Sequence, residues 1–217
     1  NTTCTSSLIS VTPCSFVSGA TQSSAQPHAN GTLYDWTDAT NTNLGEGFGA
    51  PSNTGALIEI NGQCWAKFNM NIATASDSYC YNNDSANCTT DGRLYEWDAA
   101  MSGTTNEREQ GICPDGWHIP SDCEWMYLEN SLGMSVADQE LVAMRNSGNV
   151  GSQLSNDTFD GDNSSGFTGL LAGRRRPNGT FSERTSLAHF WTSTSTTTAT
   201  TRRLNASQVG VRRINLN

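Results

Sequence analysis

Residues 113–125, Cys-Pro-Asp-Gly-Trp-His-Ile-Pro-Ser-Asp-Cys-Glu-Trp, constrain the fold more than any other stretch of the chain. Pro114 and Pro120 fix φ on either side of Asp115-Gly116, a strong turn pair. Ser121 followed three residues later by Glu124 is a capping box, in which each side chain satisfies an orphan N–H at a helix start. Trp117, Ile119, Trp125 and Leu128 bring a large apolar surface. The pattern predicts a rigid turn that delivers a core-anchoring helix over residues 122–132. Nothing in the stretch points to catalysis, and His118 beside Trp117 reads as a core or turn histidine.

Other local signals are spaced around this anchor. Residues 56–72 alternate apolar and polar on both sides of Asn61-Gly62, the preferred pair for a tight primed turn, and predict a β-hairpin. Apolar residues from Leu94 to Met101 recur at helical spacing and predict a short helix. Ser135 is placed to cap a second helix over residues 136–145, with Leu141, Val142 and Met144 available for burial. Beyond Asn146 the chain reads as short strands and loops, at 169–173, 188–193 and 202–217. Residues 1–28 are rich in Ser and Thr, and residues 1–55 as a whole read as an arm or tether preceding one domain over 56–217. Residues 29–40 and 90–101 share Asn/Asp-Gly-x-Leu-Tyr-acid-Trp, which is either a weak repeat or a coincidence.

The cysteines bear on the compartment. There are seven, at 4, 14, 64, 80, 88, 113 and 123, with no C-x-x-C pair, which argues against zinc and against a thioredoxin-like site. Cys80 and Cys88 bracket a short polar loop and predict a local disulfide; Cys4–Cys14 is a second candidate. An odd count leaves at least one thiol without a partner in the chain, and the sequence leaves Cys64, Cys113 and Cys123 unassigned. Seven cysteines, a single lysine and eight N-x-Ser/Thr sequons favour an exported protein, extracellular or on a cell surface. No apolar run reaches the roughly 18 residues of a membrane span. No signal peptide is present, so for an exported protein the numbering begins after processing.

Charge is distributed unevenly. Residues 174–217 hold eight arginines against one acid, Glu183, in a chain of net charge −9. Such asymmetry concerns partners: the basic end either packs on acidic neighbours or meets an acidic ligand. The arginines are interleaved with Thr and Ser rather than aromatics, and the chain is acidic, so nucleic acid is not the expected partner. The three histidines are scattered, and no nucleophile elbow, H-E-x-x-H or phosphate loop is present, so the expected function is not enzymatic. Asp157, Asp160, Asp162, Asn163 and Ser165 form an oxygen-rich loop in which Asp160 and Asp162 are the candidates for calcium, but the closing Glu of a calcium loop is missing. A polar loop is the preferred reading, and no cofactor is expected.

Several motifs occur in a fixed order: Gly62-Gln63-x-Trp65, Cys80-Tyr81-Asn82-Asn83-Asp84, Asp91-Gly92-Arg93-Leu94-Tyr95-x-Trp97, Gly111-Ile112-Cys113-Pro114-x-Gly116-Trp117-His118-Ile119-Pro120-Ser121-Asp122, Asn163-Ser164-Ser165-Gly166-Phe167, Leu171-Ala172-Gly173-Arg174-Arg175 and Phe190-Trp191-Thr192-Ser193-Thr194. In these the chain resembles the Fibrobacter succinogenes major paralogous domain family, over about residues 56–217. The resemblance implies an α+β domain similar to the C-type lectin fold: two short helices, a small antiparallel sheet and long irregular loops. It is more distantly similar to formylglycine-generating enzymes, whose catalytic cysteines have no matching motif here. Family members usually continue into a closing strand of the type Gly-Phe-Ser-Val-Arg-Cys, whose cysteine commonly pairs with the one at Cys113. The sequence stops at Asn217 before such a strand, and the resemblance implies a cut or lost C-terminus as the natural explanation of the odd thiol count.

Many relatives resemble the variable proteins of diversity-generating retroelements, whose mutable positions follow the Phe-Trp-Ser/Thr-Ser motif. Residues 200–217 fall in that place, with Arg202, Leu204, Asn205, Ser207, Val209, Arg212 and Asn215 read as fixed. The implied function is ligand binding, as a receptor or adhesin for a protein or glycan on another cell or surface. Its candidate surface is Arg174, Arg176, His189, Arg203, Ala206, Gln208, Gly210, Arg213, Ile214 and Leu216. The alternative is a structural subunit of an extracellular filament, self-assembled or pilin-like, carrying a lectin-like head on the N-terminal arm.

Overall fold

A computed structural model describes residues 57–67, 69–113, 117–159 and 161–216. The arm, the Cys4–Cys14 candidate, the first copy of the repeated motif, the Pro114-Asp115-Gly116 turn and Asp160 lie outside the described residues. Within them the chain is mixed α+β, with short helices and small antiparallel sheets. No described helix is long and apolar enough to cross a membrane.

The expected hairpin is present as β1 (Leu57–Ile60) and β2 (Gln63–Ala66). Asn61 and Gly62 both take positive φ, at 49° and 79°, which a two-residue primed turn requires. Ile58 lies opposite Trp65 and Ile60 opposite Gln63, so one face of the hairpin is delivered to the core. Next come β3 (Ser78–Tyr79), α1 (Ser85–Asp91), β4 (Leu94–Tyr95) and α2 (Trp97–Ala100). The helix expected over 94–101 is thus split, because Leu94 and Tyr95 pair with Tyr79 and Ser78. The Cys80–Cys88 disulfide forms as expected, tying the turn at Tyr81–Asn83 to α1.

The capped helix is α3 (Asp122–Ser131). Ser121 Oγ accepts from Glu124 N–H at 3.2 Å, and the Ser121 N–H donates to Glu124 Oε2 at 2.8 Å, the reciprocal capping box. Trp125 and Leu128 face the core, where Trp125, Trp65, Phe167 and Phe190 pack with ring centroids 5.2 to 5.9 Å apart in tilted and edge-on contacts.

The second helix is shorter than its apolar pattern predicts. It runs as α4 (Val136–Gln139), and Met144–Arg145 forms strand β5 instead. Leu141 and Val142 stay exposed, while Arg145 is buried against Glu129. A buried carboxylate that needs a cation outweighs the helical preference of the segment. After β5 come α5 (Val150–Leu154), the small hairpin β6 (Arg174–Arg175) with β7 (Phe181–Ser182), and the long strands β8 (Leu187–Ser195), β9 (Ala199–Asn205) and β10 (Gln208–Leu216).

The main sheet has the order β5-β10-β9-β8. Its inner face carries Ala188 and Leu204, paired across strands, and Val211, all buried. Also inward lie Phe190, Arg202 and Arg213, which share one cross-strand row. Period-two alternation therefore sends His189, Arg203 and Arg212 to the outer face in a row of their own. A smaller core of Ala100, Met101 and Ile119, packed with Tyr95, Trp97 and Trp191, covers one end of that outer face.

Candidate functional site

A cleft of about 500 Å³ opens beside β8, the edge strand of the main sheet. Strand β2 contributes Trp65, with Lys67 just beyond its end; α3 contributes Trp125, β3 and β4 contribute Tyr79 and Tyr95, and β6 contributes Arg174. His189 and Trp191 project from β8 itself. Its volume lies within the range of small-molecule pockets.

The aromatic walls are held by hydrogen bonds from behind. Tyr95 OH donates to the Ile72 carbonyl at 2.8 Å, and burial pushes its phenol well above the usual range. Trp191 Nε1 donates to the Tyr95 carbonyl at 2.8 Å, and Trp97 Nε1 to the Thr192 carbonyl at 2.8 Å. Arg175 stacks over the Tyr79 ring at 3.9 Å and reaches Glu96 at 3.3 Å. His118 Nε2 lies 3.0 Å from both oxygens of the buried Glu124, so that histidine serves the helix cap.

Other polar groups in the cleft are left over. Trp125 is 2% exposed, and its Nε1–H has no hydrogen-bond partner. Arg93 Nε has none either, and neither ring nitrogen of His189 has one. His189 Nε2 is 3.6 Å from Glu183 Oε2, too long for a hydrogen bond. Burial, with Arg174 beside it, holds the His189 imidazole down to about 4, so it is neutral at neutral pH.

The family profile of the Fibrobacter succinogenes major domain matches residues 58–215. The chain belongs to that family. No curated protein matches it, and no solved structure does.

In this Fibrobacter succinogenes major domain, the residues singled out from sequence divide between the two faces of the sheet and its margin. Arg174 lines the cleft with Nε 2.6 Å from Glu183 Oε2, and Arg176 lines it while donating from Nε to Ser182 Oγ at 2.9 Å. His189 joins them there, and Leu216 reaches the cleft from the end of β10. Arg203 lies opposite both His189 and Arg212, partly exposed, with its Nε unpaired. Ile214 is on the same outer face opposite Thr201, and Gln208 is exposed opposite Asn205.

Three of the singled-out residues are built into the scaffold. Ala206 packs against the main core. Gly210 is buried where a Cβ would sit 2.6 Å from the Arg145 carbonyl oxygen. Arg213 turns inward, donating from Nε to Asp122 Oδ1 at 3.0 Å and from Nη1 to the Glu140 carbonyl at 2.9 Å. Its neighbour Arg212 takes the exposed place. Counting alternate residues back from Leu216 and Ile214 selects Arg212, so the signal was present in the strand period.

Asp162 accepts from the Ser164 N–H at 2.8 Å and from Ser152 Oγ at 3.2 Å, and those bonds hold its carboxyl below its ordinary range. Among the described residues no three His, Cys, Asp or Glu side chains are grouped to hold a metal ion. Cys113 carries a free thiol at the cleft wall, pushed up to about 12 by burial, whereas Cys123 is disulfide-bonded.

Proposed function

We propose that this domain is an exported, surface-displayed ligand-binding module of C-type lectin-like architecture, working as a receptor or adhesin, and that its ligand occupies the cleft beside β8. The observation that carries this reading is the set of unpaired donors in one apolar cavity. Trp125 and Arg93 line the same aromatic-walled space, and Trp125 Nε1 and Arg93 Nε have no protein acceptor; His189 beside them has only Glu183, 3.6 Å away. A buried donor left without a partner costs about 1–3 kcal/mol, so a fold keeps several in one place at a real disadvantage unless something supplies oxygen there. A ligand rich in hydroxyl or carbonyl oxygens does so.

The scaffold supports display. Side chains on the outer face of β9 and β10, at Arg203, Gln208, Ile214 and Leu216, alternate with the inward ones that pack the core. Substitution there leaves Leu204 and Val211 in place, which suits a surface diversified by a retroelement. Binding rather than catalysis is the reading: His118 is engaged with Glu124, and His189 is walled in by arginines. The disulfides fit an oxidising, extracellular setting.

The test is a screen of the purified domain against an array of immobilised glycans and polysaccharides, run beside a Tyr79→Ala, Lys67→Ala double variant at the cleft wall. The reading expects selective retention by the wild-type domain and loss in the variant at unchanged melting temperature. Equal retention of both proteins by every ligand contradicts it.

A further inference from the structure

The two faces of the main sheet treat their arginines differently. On the inner face Arg202 and Arg213 share one row, and each has an acid: Arg202 Nη1 is 2.6 Å from Asp122 and its Nε 2.7 Å from Glu129, while Arg213 also pairs with Asp122. On the outer face the row is His189, Arg203, Arg212. Arg203 and Arg212 face each other directly across β9 and β10, an arrangement of like charges that costs stability. Neither makes an ion pair among the described residues, whereas Arg174, Arg175 and Arg184 all do. The one acid nearby, Glu183, is already held by Arg174 at 2.6 Å and by Arg176 at 3.5 Å. Burial, with Arg212 and Arg174 close by, lowers the affinity of Arg203 for its proton.

We infer that this outer row is the anion-recognition half of the site, and that the ligand is an acidic glycan whose carboxylate or sulfate lies on Arg203 and Arg212 while its sugar rings enter the cleft past His189. The inference rests on the cleft reading above and adds the chemical class. Guanidinium groups present paired donors that match the two oxygens of a carboxylate or sulfate. The row meets the cleft at His189 and Arg174, so a ligand spanning both is continuous. Tyr79, Tyr95 and Trp191 line the cleft the sugar rings would enter, together with Trp125 and Arg93, which carry unpaired donors. The rest of a chain of net charge −9 repels polyanions, which confines them to this face.

The test is calorimetric titration of the domain with a short oligogalacturonate, a heparin-derived oligosaccharide, a neutral cello-oligosaccharide and sodium sulfate. Wild type is compared with an Arg203→Gln, Arg212→Gln double variant, and with Arg212→Gln alone at its exposed position. We expect an acidic oligosaccharide to bind, with affinity falling as salt rises, and the double variant to lose roughly tenfold or more. The single variant loses part of that, and the melting temperature holds or rises as the repulsion is removed. Neutral and acidic oligosaccharides binding equally, with the double variant unaffected, overturns the inference and leaves the cleft reading standing. Sulfate binding as tightly as the oligosaccharides overturns the glycan assignment. No binding of any sugar, acidic or neutral, overturns the inference and counts against the cleft reading as well.

Discussion

Glu129 and Arg145 face each other as a two-point ion pair with both side chains fully out of solvent: Nη1 donates to Oε2 at 2.8 Å and Nη2 to Oε1 at 2.7 Å. Glu129 also accepts from Arg202 Nε at 2.7 Å, so one carboxylate holds two guanidinium groups from different strands. The pair joins α3 to β5 and, through Arg202, to β9. Removing one partner leaves the other charged and buried. Glu129→Gln is expected to cost about 3–5 kcal/mol, and Arg145→Met less, since Glu129 keeps Arg202. Urea melts of the two variants check the order; Arg145→Met falling further than Glu129→Gln contradicts it.

The acid side of stability is expected to rest on Asp122. Burial alone would raise its carboxyl, but Arg202 and Arg213 overcome this and hold it below its ordinary range. A carboxylate depressed in the folded state contributes stability above its unfolded value of about 3.9, and that stability is lost as pH falls through the lower folded value. Melting temperature measured below about pH 4 should drop steeply in the wild type and less in Asp122→Asn, which starts lower.

His189 gives a separate signature at milder pH. It is neutral and largely buried in the fold, held to about 4, with Arg174, Glu183 and Arg203 close to it. An unfolded histidine titrates near 6.5, so the unfolded chain takes up the proton first. Stability from this group is fully present above about 6.5 and declines as pH falls toward the folded value, by up to about 1.4 kcal/mol per unit. In His189→Gln that slope between about pH 6.5 and 4 should flatten. An unchanged slope places the titrating group elsewhere.

Gly210 tests the packing of β10 on its neighbours. A methyl group there would meet the Arg145 carbonyl oxygen at 2.6 Å, a backbone atom that the sheet does not let move. Gly210→Ala should destabilise by about 1–3 kcal/mol, as overpacking does, although the substitution is conservative in polarity. A melting temperature equal to wild type would show that β10 and β5 separate freely.

Much of the scaffold was legible in sequence because its signals are local. Ser121 and Glu124 are three residues apart, Asn61-Gly62 is a dipeptide, and Cys80 and Cys88 close a short loop. The ordered motifs also carried the family. The site was less legible because it is assembled from distant segments: Trp65, Arg93, Trp125 and His189 meet only in the folded chain. Arg145 shows the same limit in the fold. Its segment is helical by pattern, and partners on other elements, Glu129 and the paired strand β10, explain why it is a strand.

A ligand in the cleft is expected to sit against Trp125, whose indole N–H has no protein partner. Nitrogen-15 NMR of the indole groups, with the Trp125 signal assigned by Trp125→Phe, tests it directly during titration with oligosaccharides retained on the array. The account predicts a downfield move of that one indole proton and slower exchange with solvent as ligand binds. A ligand that binds while the Trp125 indole signal stays where it was would contradict the account.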